Sequence, residues 1–504
     1  MKTSRASLVG GVVGALVVVE FTSGVLQGYY TPLFTDVARH LGIHDADINW
    51  LEAAQLLLSA IVVPFMARLG DMYGHRKILI FSLIVTLIAS IGVAFAPSFP
   101  IFIAAWALQG FYVIWLPMNI SIIFLRSRGR SNSAALTRKG AGVIVVALQA
   151  GAIFGALAGG QLGTIFEDKL WLTLSVPAAL VAVALAVVVF KVPDPGVRSG
   201  GAVDSRGTVL LTLALLAIMG GLSLVRLNGI TVWVFAMVLI GIVLLWVFVR
   251  FEQRSGDPLI DISMFKRPEL WPVFLTSALF GVSVLGAQGP LSTFARTDPG
   301  EVGYGLGATS ATASYLIGGY VMALLVGAGL FARISRSLTP RKVLIGASSL
   351  VAIGYFSLIP FHANFQQVLI GMIIAGLGSG ALVAALPAAA AAAAPEHQTG
   401  VATGLTNTTK VIGGAFASSA FALALASGVV VTSSGGESTA AALSGYIAVW
   451  AICGGTAVVA TIFLFAVPKV AFTAPPMADL SGLPEADAGA SPQPQATVTG
   501  EVNE

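Results

Sequence analysis

Glu20 is an acid set about twelve residues into the apolar run 8–30, which at the helical rise places it roughly 18 Å deep in a membrane-spanning helix. A carboxylate at that depth costs at least ~3 kcal/mol unless it faces a wet cavity, pairs with a cation or takes up a proton. Those residue types point to proton coupling, with Glu20 as the candidate group. Ser23, Gly24, Gln27 and Thr31 follow it on one helical face. In the fourth apolar run Gln109, Tyr112, Leu116 and Asn119 form a second stripe, with Trp115 beside it, and in the thirteenth Thr403, Asn407, Lys410 and Gly414 share a face. Such stripes either line a cavity for a small substrate or hydrogen-bond between helices. Gln27, Gln109, Tyr112, Trp115, Asn119, Asn407 and Lys410 are the candidate cavity residues. Lys410 has a second reading, in which its long side chain snorkels to headgroups.

Residues 67–77, Ala-Arg-Leu-Gly-Asp-Met-Tyr-Gly-His-Arg-Lys, lie between two apolar runs. An acid at a helix end, Asp71, can pair with cations and helix dipoles nearby and so hold one side of a gate shut. Glu52 and Arg226 sit near helix ends, where interfacial solvation is the expectation. No Cys/His cluster has metal-ligand spacing, the single cysteine, Cys453, rules out an internal disulfide, and no phosphate-binding G-x-x-x-x-G-K-[ST] loop is present. No cofactor, metal or nucleotide is expected.

The elements that must position these residues follow from composition. The chain has 504 residues, 56% apolar and only 10% charged, with a mean hydropathy of +0.90; that is too little polar surface for a soluble globule. Stretches of about 20 apolar residues, each able to cross a ~30 Å hydrocarbon core as helix, recur along it. Fourteen are counted: 8–30, 50–69, 77–96, 100–125, 140–162, 170–190, 207–226, 230–249, 271–294, 309–331, 343–360, 366–393, 399–430 and 443–467. The first is too long for a cleaved signal and reads as a retained helix. With both termini in the cytoplasm, 22 of the 27 Lys and Arg fall inside and only Arg39, Lys169, Arg226 and Arg296 outside, as the positive-inside rule requires. The cations are dispersed over loops facing anionic lipid, so the basic balance calls for no nucleic acid. The stretch 194–207 reads as a linker, and the Pro-, Ala- and acid-rich tail from about 471 to 504 reads as disordered.

The 67–77 segment resembles the loop between helices two and three of major facilitator transporters, roughly G-x-L-x-D-R-x-G-R-R/K. It keeps Leu69, Asp71, Gly74, Arg76 and Lys77, with Gly70 beside them, and has Ala67 and Met72 at the first Gly and one Arg. Residues 330–344 echo it faintly, with Ser335 for the acid and Thr339 for the Gly, which implies two related halves. Further stretches resemble the fourteen-helix drug:proton antiporter branch. Residues 395–414, beginning Pro395-Glu396 and including Gly400, Gly404, Asn407 and Lys410, are similar to its P-E-x-x-x-G-x-A-S-G-x-x-N-x-x-R-x-x-G-G segment, and 257–265 to its approach to helix nine. Trp50, Gln109, Gly110 and Pro117 also fit. Gly151, Gly155, Gly159 and Gly160 match the helix-five G-x-x-x-G-P-x-x-G-G signature, with Ala156 at the Pro, and Trp106 stands where relatives carry a helix-four Arg linked to proton transfer. Glu20-Phe21-Thr22 resembles the D-x-T of helix one.

The resemblance implies an all-α membrane protein of the major facilitator fold. Residues 1–190 and 251–470 would be six-helix bundles, 191–206 a cytoplasmic linker, 207–250 two inserted helices and 471–504 the tail. It implies a secondary transporter in a bacterial inner membrane, monomeric, exporting small amphipathic compounds with protons as the coupling ion. A uniporter or lipid exporter of the same fold is the alternative, since the helix-four Arg is absent. A membrane-embedded receptor or enzyme is more remote, because no acid or His cluster and no folded soluble domain is in view.

Overall fold

The computed structural model describes residues 2–127, 133–194, 196, 204–228, 231–256, 258–285, 288–334, 338–394, 399–428 and 439–466. Fourteen helices in it are long and apolar enough to cross a membrane: α1 (Lys2–Tyr29), α2 (Ile48–Tyr73), α3 (His75–Phe95), α4 (Phe99–Ser127), α5 (Ser133–Ile165), α6 (Leu170–Lys191), α7 (Ser205–Asn228), α8 (Val232–Glu252), α9 (Trp271–Leu285), α10 (Ser310–Ile334), α11 (Pro340–Leu358), α12 (Phe365–Ala393), α13 (Thr399–Leu425) and α14 (Leu443–Ala466). No strand occurs among the described residues. The protein is a multi-pass membrane protein, in which each helix satisfies its own backbone where water is absent.

Helices α1–α6 form one bundle and α9–α14 the other. Within the first, α1 packs along α5; within the second, α9 packs along α13. The two contacts are built alike. Gly24 and Gly28 of α1 meet the backbone of Leu148 and Ala152, while Gly281 of α9 meets the Lys410 carbonyl and Gly413 of α13 that of Ala278. Small residues let the backbones close, since no hydrophobic drive pulls helices together in lipid. Between bundles, α5 runs along α10 and α2 along α13. One face of α2, Trp50, Ala53, Leu57 and Ile61, packs into the second bundle's core.

The inserted pair, α7 and α8, sits outside this body. Leu211, Leu215 and Met219 of α7 join the core that α2 shares, and Ser419 of α13 approaches the Met219 sulfur at 3.5 Å. Only 17% of the α8 span is buried, with Val232, Trp233, Phe235 and Leu239 on its exposed apolar surface.

Two features depart from the apolar runs. Helix α4 passes through a 3-10 stretch, Gly110–Ile114, because Pro117 cannot donate to the carbonyl four residues before it and its ring crowds that turn. Residues 31–47 are not a plain loop. They form a 3-10 turn at Thr31–Leu33, a helix at Phe34–Leu41 and a second turn at Asp45–Asp47, with Phe34, Val37 and Ala38 buried and Gly42 ending the helix at φ 63°. The segment folds back over the end of the bundles, and a helix Gln288–Arg296 continuing α9 meets it there. This is the distal end. The opposite end, which holds residues 67–77 and the close of α14, is the motif end.

Candidate functional site

Glu20 is fully buried in α1. Its Oε1 accepts a hydrogen bond from Asn119 Nδ2 of α4 at 2.7 Å, while Glu20 Oε2 and Asn119 Oδ1 have no hydrogen-bond partner. The acid therefore faces the protein interior, and the partner that bonds it is neutral. Glycines of α5 bring its helix in: Gly151 lies against the Phe21 backbone, Gly155 against Val25 and Gly159 against Tyr29. Gly160 turns the other way and meets Ser310 and Ser314 of α10. The helix-five glycines thus divide, three holding α1 inside one bundle and one setting the contact between bundles.

Beneath the distal end lies a small recess of about 60 Å³. Gln27 and Thr31 of the α1 stripe line it, with Tyr112 of α4, Glu52 and Gln55 of α2, and Gln288 from the continuation of α9. Tyr30, Phe34 and Trp106 supply aromatic walls, with the Trp106 ring edge-on to Tyr30 at 5.0 Å and to Phe34 at 5.7 Å. The wall is mixed, apolar area with a few polar anchors, as sites for small organic molecules are.

Of the seven predicted cavity residues, Gln27 and Tyr112 line this recess. Three more sit one layer behind. Gln109 donates to Tyr30 Oη and Ser90 Oγ, each at 3.0 Å, tying α4 to α1 and α3. The Trp115 ring stands edge-on to Tyr112 at 6.3 Å, and Asn119 holds Glu20. Asn407 and Lys410, half-buried on α13, do not line the recess.

At the motif end, Gly70 packs against the Met118 sulfur of α4 and Gly74 breaks the chain between α2 and α3 at φ 107°, a conformation glycine adopts without strain. Leu69 packs on the first bundle's core. Asp71 pairs with His75 Nε2 at 3.2 Å in its own turn. Arg76 reaches the end of α6, donating from Nε to the Val192 carbonyl at 2.5 Å and from a terminal nitrogen to that of Val189 at 2.8 Å, a cation on the negative pole of a helix. Arg341 repeats this at the close of α14, bonding the carbonyls of Leu464 at 2.7 Å and of Phe465. The faint second copy of the loop therefore performs the same task as the first. Lys77 is exposed. Arg128, Arg130, Ser335 to Ser337, Pro395 to Gln398, most of the linker and the tail lie outside the described residues, as does the side chain of Arg226.

Glu52 corrects an expectation. Instead of a wet interface it has 9% exposure and lines the recess, because the 31–47 segment folds over the helix end that hydropathy marks as the border of the membrane. The available signal was spacing: Glu52, Gln55 and Ser59 form a stripe on α2 like that of α1.

The distal end is tied across the bundles. Ser292 donates to the Thr31 carbonyl at 2.5 Å, Arg296 pairs with Asp36, the Asp45 backbone N–H donates to the Thr439 carbonyl at 3.0 Å, and Thr164 meets Ser310 at 3.1 Å. Two bundles thus meet over a recess, with one end closed by contacts that cross from one to the other.

Comparison with known proteins agrees. The cephamycin export protein of Amycolatopsis lactamdurans is 27% identical over 433 residues, 82% of this chain and 85% of that one. A multidrug efflux pump of Mycolicibacterium smegmatis is 25% identical over 357 residues, 68% of each chain. Among solved structures, a POT family transporter in complex with 5-aminolevulinic acid superposes with a TM-score of 0.65 at 14% identity, covering 91% of this chain and 96% of that one, and a nucleoside transporter with a TM-score of 0.62 at 14% identity, covering 91% and 100%; these likenesses concern the fold. The family model of the Major Facilitator Superfamily matches residues 16–418, and with the paired bundles, the repeated Arg cap and the inserted helices this makes the chain a membrane transporter of the Major Facilitator Superfamily.

Proposed function

We propose that the chain exports small amphipathic compounds in exchange for protons, by alternating access about the recess, and that Glu20 carries the proton. The observation that carries this reading is the carboxylate itself: buried, bonded to the neutral amide of Asn119, with one oxygen free. An acid held by a fixed cation has no reason to take up a proton; one held by an amide gains by doing so whenever the site closes around it. The relatives named as export and efflux proteins support the direction.

In this reading the motif end faces the cytoplasm of a bacterial inner membrane, with both termini there, and the latched distal end is the outer gate. Residues 1–190 and 251–470 are the moving bodies, joined by the 191–206 linker, with 207–250 inserted and 471–504 as a tail. Asp71, Gly74, Arg76 and Lys77 belong to the inner gate and Gly160 to the seam that rocks. The chain acts as a monomer and as a carrier, not an enzyme, and needs no cofactor or nucleotide.

Proteoliposomes given a pH jump test this. Wild-type protein is expected to drive uphill uptake of a transported dye and Glu20→Gln only downhill movement; equal uphill transport by the variant refutes the coupling role. A second reading, transport without protons, is favoured by Trp106, an apolar ring stacked on Phe102 at 6.0 Å where the resemblance would have a cation. It predicts flux indifferent to the pH jump.

A further inference from the structure

Asp204 and Glu252 are acids at the base of the inserted helix pair, and the transport reading uses neither. Asp204 stands just before α7 and Glu252 closes α8. Each carboxylate spends one oxygen on a backbone N–H: Asp204 Oδ1 accepts from Gly207 at 2.8 Å, and Glu252 Oε2 accepts from Ile260 at 3.2 Å. The remaining two oxygens, Asp204 Oδ2 and Glu252 Oε1, are buried with no hydrogen-bond partner. They converge on Gly207, where an added methyl group would lie 2.6 Å from the first and 2.2 Å from the second. Glu252 is only 2% exposed, so its free oxygen is aimed at the Asp204 carboxylate and not at solvent.

Two carboxylates brought together out of water do not both stay ionised. All four oxygens are acceptors, and one proton placed between the groups turns one of them into the donor the other lacks. A metal ion fits less well, since hard cations take about six oxygens or more and two of these already serve N–H groups. Neither acid has an ion pair among the described residues. Of the charges on the surrounding elements, Arg206, Arg254 and Lys266 are exposed, and Arg250 lies over the Trp246 ring at 5.1 Å. Asp261 accepts from the Ser263 backbone at 3.0 Å, Arg267 and Glu269 stand half-buried before α9, and Arg198 and Asp257 lie outside the described residues.

We propose that Asp204 and Glu252 share a single proton, and that this proton clamps the start of α7 to the end of α8 and, through Ile260, to the segment leading into α9. The site goes beyond the transport reading and involves neither Glu20 nor the recess. As pH rises and the proton leaves, two negative charges face one another. Asp204, half-buried at the close of the linker, then swings outward, and α7 loses the side chain that caps its first turn. The clamp is closed in acid and open in base.

The test combines hydrogen–deuterium exchange with infrared difference spectra on purified full-length protein in nanodiscs, from about pH 6 to about pH 9, which spans the values buried carboxyls reach. With rising pH the wild type is expected to lose a protonated-carboxyl band that Glu252→Gln never shows. Its exchange over residues 204–210 and 253–261, relative to Glu252→Gln at the same pH, is expected to rise at least about threefold. Glu252→Gln carries its own N–H donor and stays clamped throughout. Gly207→Ala, whose methyl takes the place of the two oxygens, is expected to exchange fast at every pH although alanine favours a helix. Where a variant does not fold, the wild type alone decides: exchange over 204–210 must climb with pH more steeply than at the first turn of α12, whose cap Asn364 does not titrate. A ratio flat with pH, or a carboxyl band unchanged in Glu252→Gln, overturns the proposal. So does faster wild-type exchange at about pH 6 on adding a chelator, since a metal ion would then be holding the pair.

Discussion

Glu20 and Glu52 are both buried acids, one on α1 and one on α2, yet the first lies inside a bundle and the second lies between two. Glu20 is enclosed by contacts that belong to one bundle: the Asn119 amide and the α5 glycines that press backbone to backbone on α1. Glu52 is met directly by the Gly289 backbone of the opposite bundle, with Gln288 of that bundle also lining the recess. In the proposed cycle the first environment would stay together while the bundles move, and the second would come apart at each opening. A group proposed to hold a proton through the cycle suits the first.

The sharpest way to break that comparison is to wedge the rigid side. A side chain on Gly151 would meet the Phe21 backbone, which cannot retreat without parting α1 from α5. Gly151→Leu is expected to abolish the folded-protein peak in size-exclusion chromatography, since overpacking here exceeds the usual ~1–3 kcal/mol. The same change at Gly160, against side chains of α10 as well as the Ser310 carbonyl, is expected to leave folded protein and slow transport. If both variants fold equally well, the division between intra-bundle and inter-bundle glycines is wrong.

Next in size is the latch. Replacing Arg296 with Gln removes the cross-bundle pair with Asp36, largely shielded from solvent; a loss of about 1 kcal/mol shifts the open population roughly fivefold. Thr31→Cys, placed under the latch, reports this through its labelling rate with an impermeant maleimide, against the background of Cys453, which is buried. Faster labelling in the Arg296→Gln background is expected, and an unchanged rate would remove the latch from the account. The smallest effects belong to the two caps. Arg76→Gln and Arg341→Gln each forfeit hydrogen bonds to the end of a helix, and each is expected to lower thermal stability by about 1 kcal/mol. A much larger loss at Arg76 than at Arg341 would show that the halves do not use their loops alike.

The fourteen helices were legible because a bilayer demands about 20 apolar residues per crossing, and that demand overrides local propensity. The repeat was legible too, since Arg341 kept its place when the surrounding residues had drifted. What hydropathy could not convey was depth at the distal end. Residues 31–47 carry enough charge to read as an exterior loop, but Phe34, Val37 and Ala38 turn inward, and the folded segment encloses Glu52. Nor could spacing separate stripes that line a cavity from stripes that bond helices. Gln27 and Gln109 are alike in type, yet Gln27 opens on the recess and Gln109 is consumed by Tyr30 and Ser90. Such choices depend on which helix stands opposite, a long-range property that a single helix's periodicity does not hold.

The account stands most directly on whether cargo displaces a proton from Glu20. Adding a saturating transported compound to purified protein in weakly buffered solution, with a pH electrode in place, should release about one proton per molecule from the wild type and from Arg76→Gln, and none from Glu20→Gln. Release of the same quantity by Glu20→Gln would contradict it.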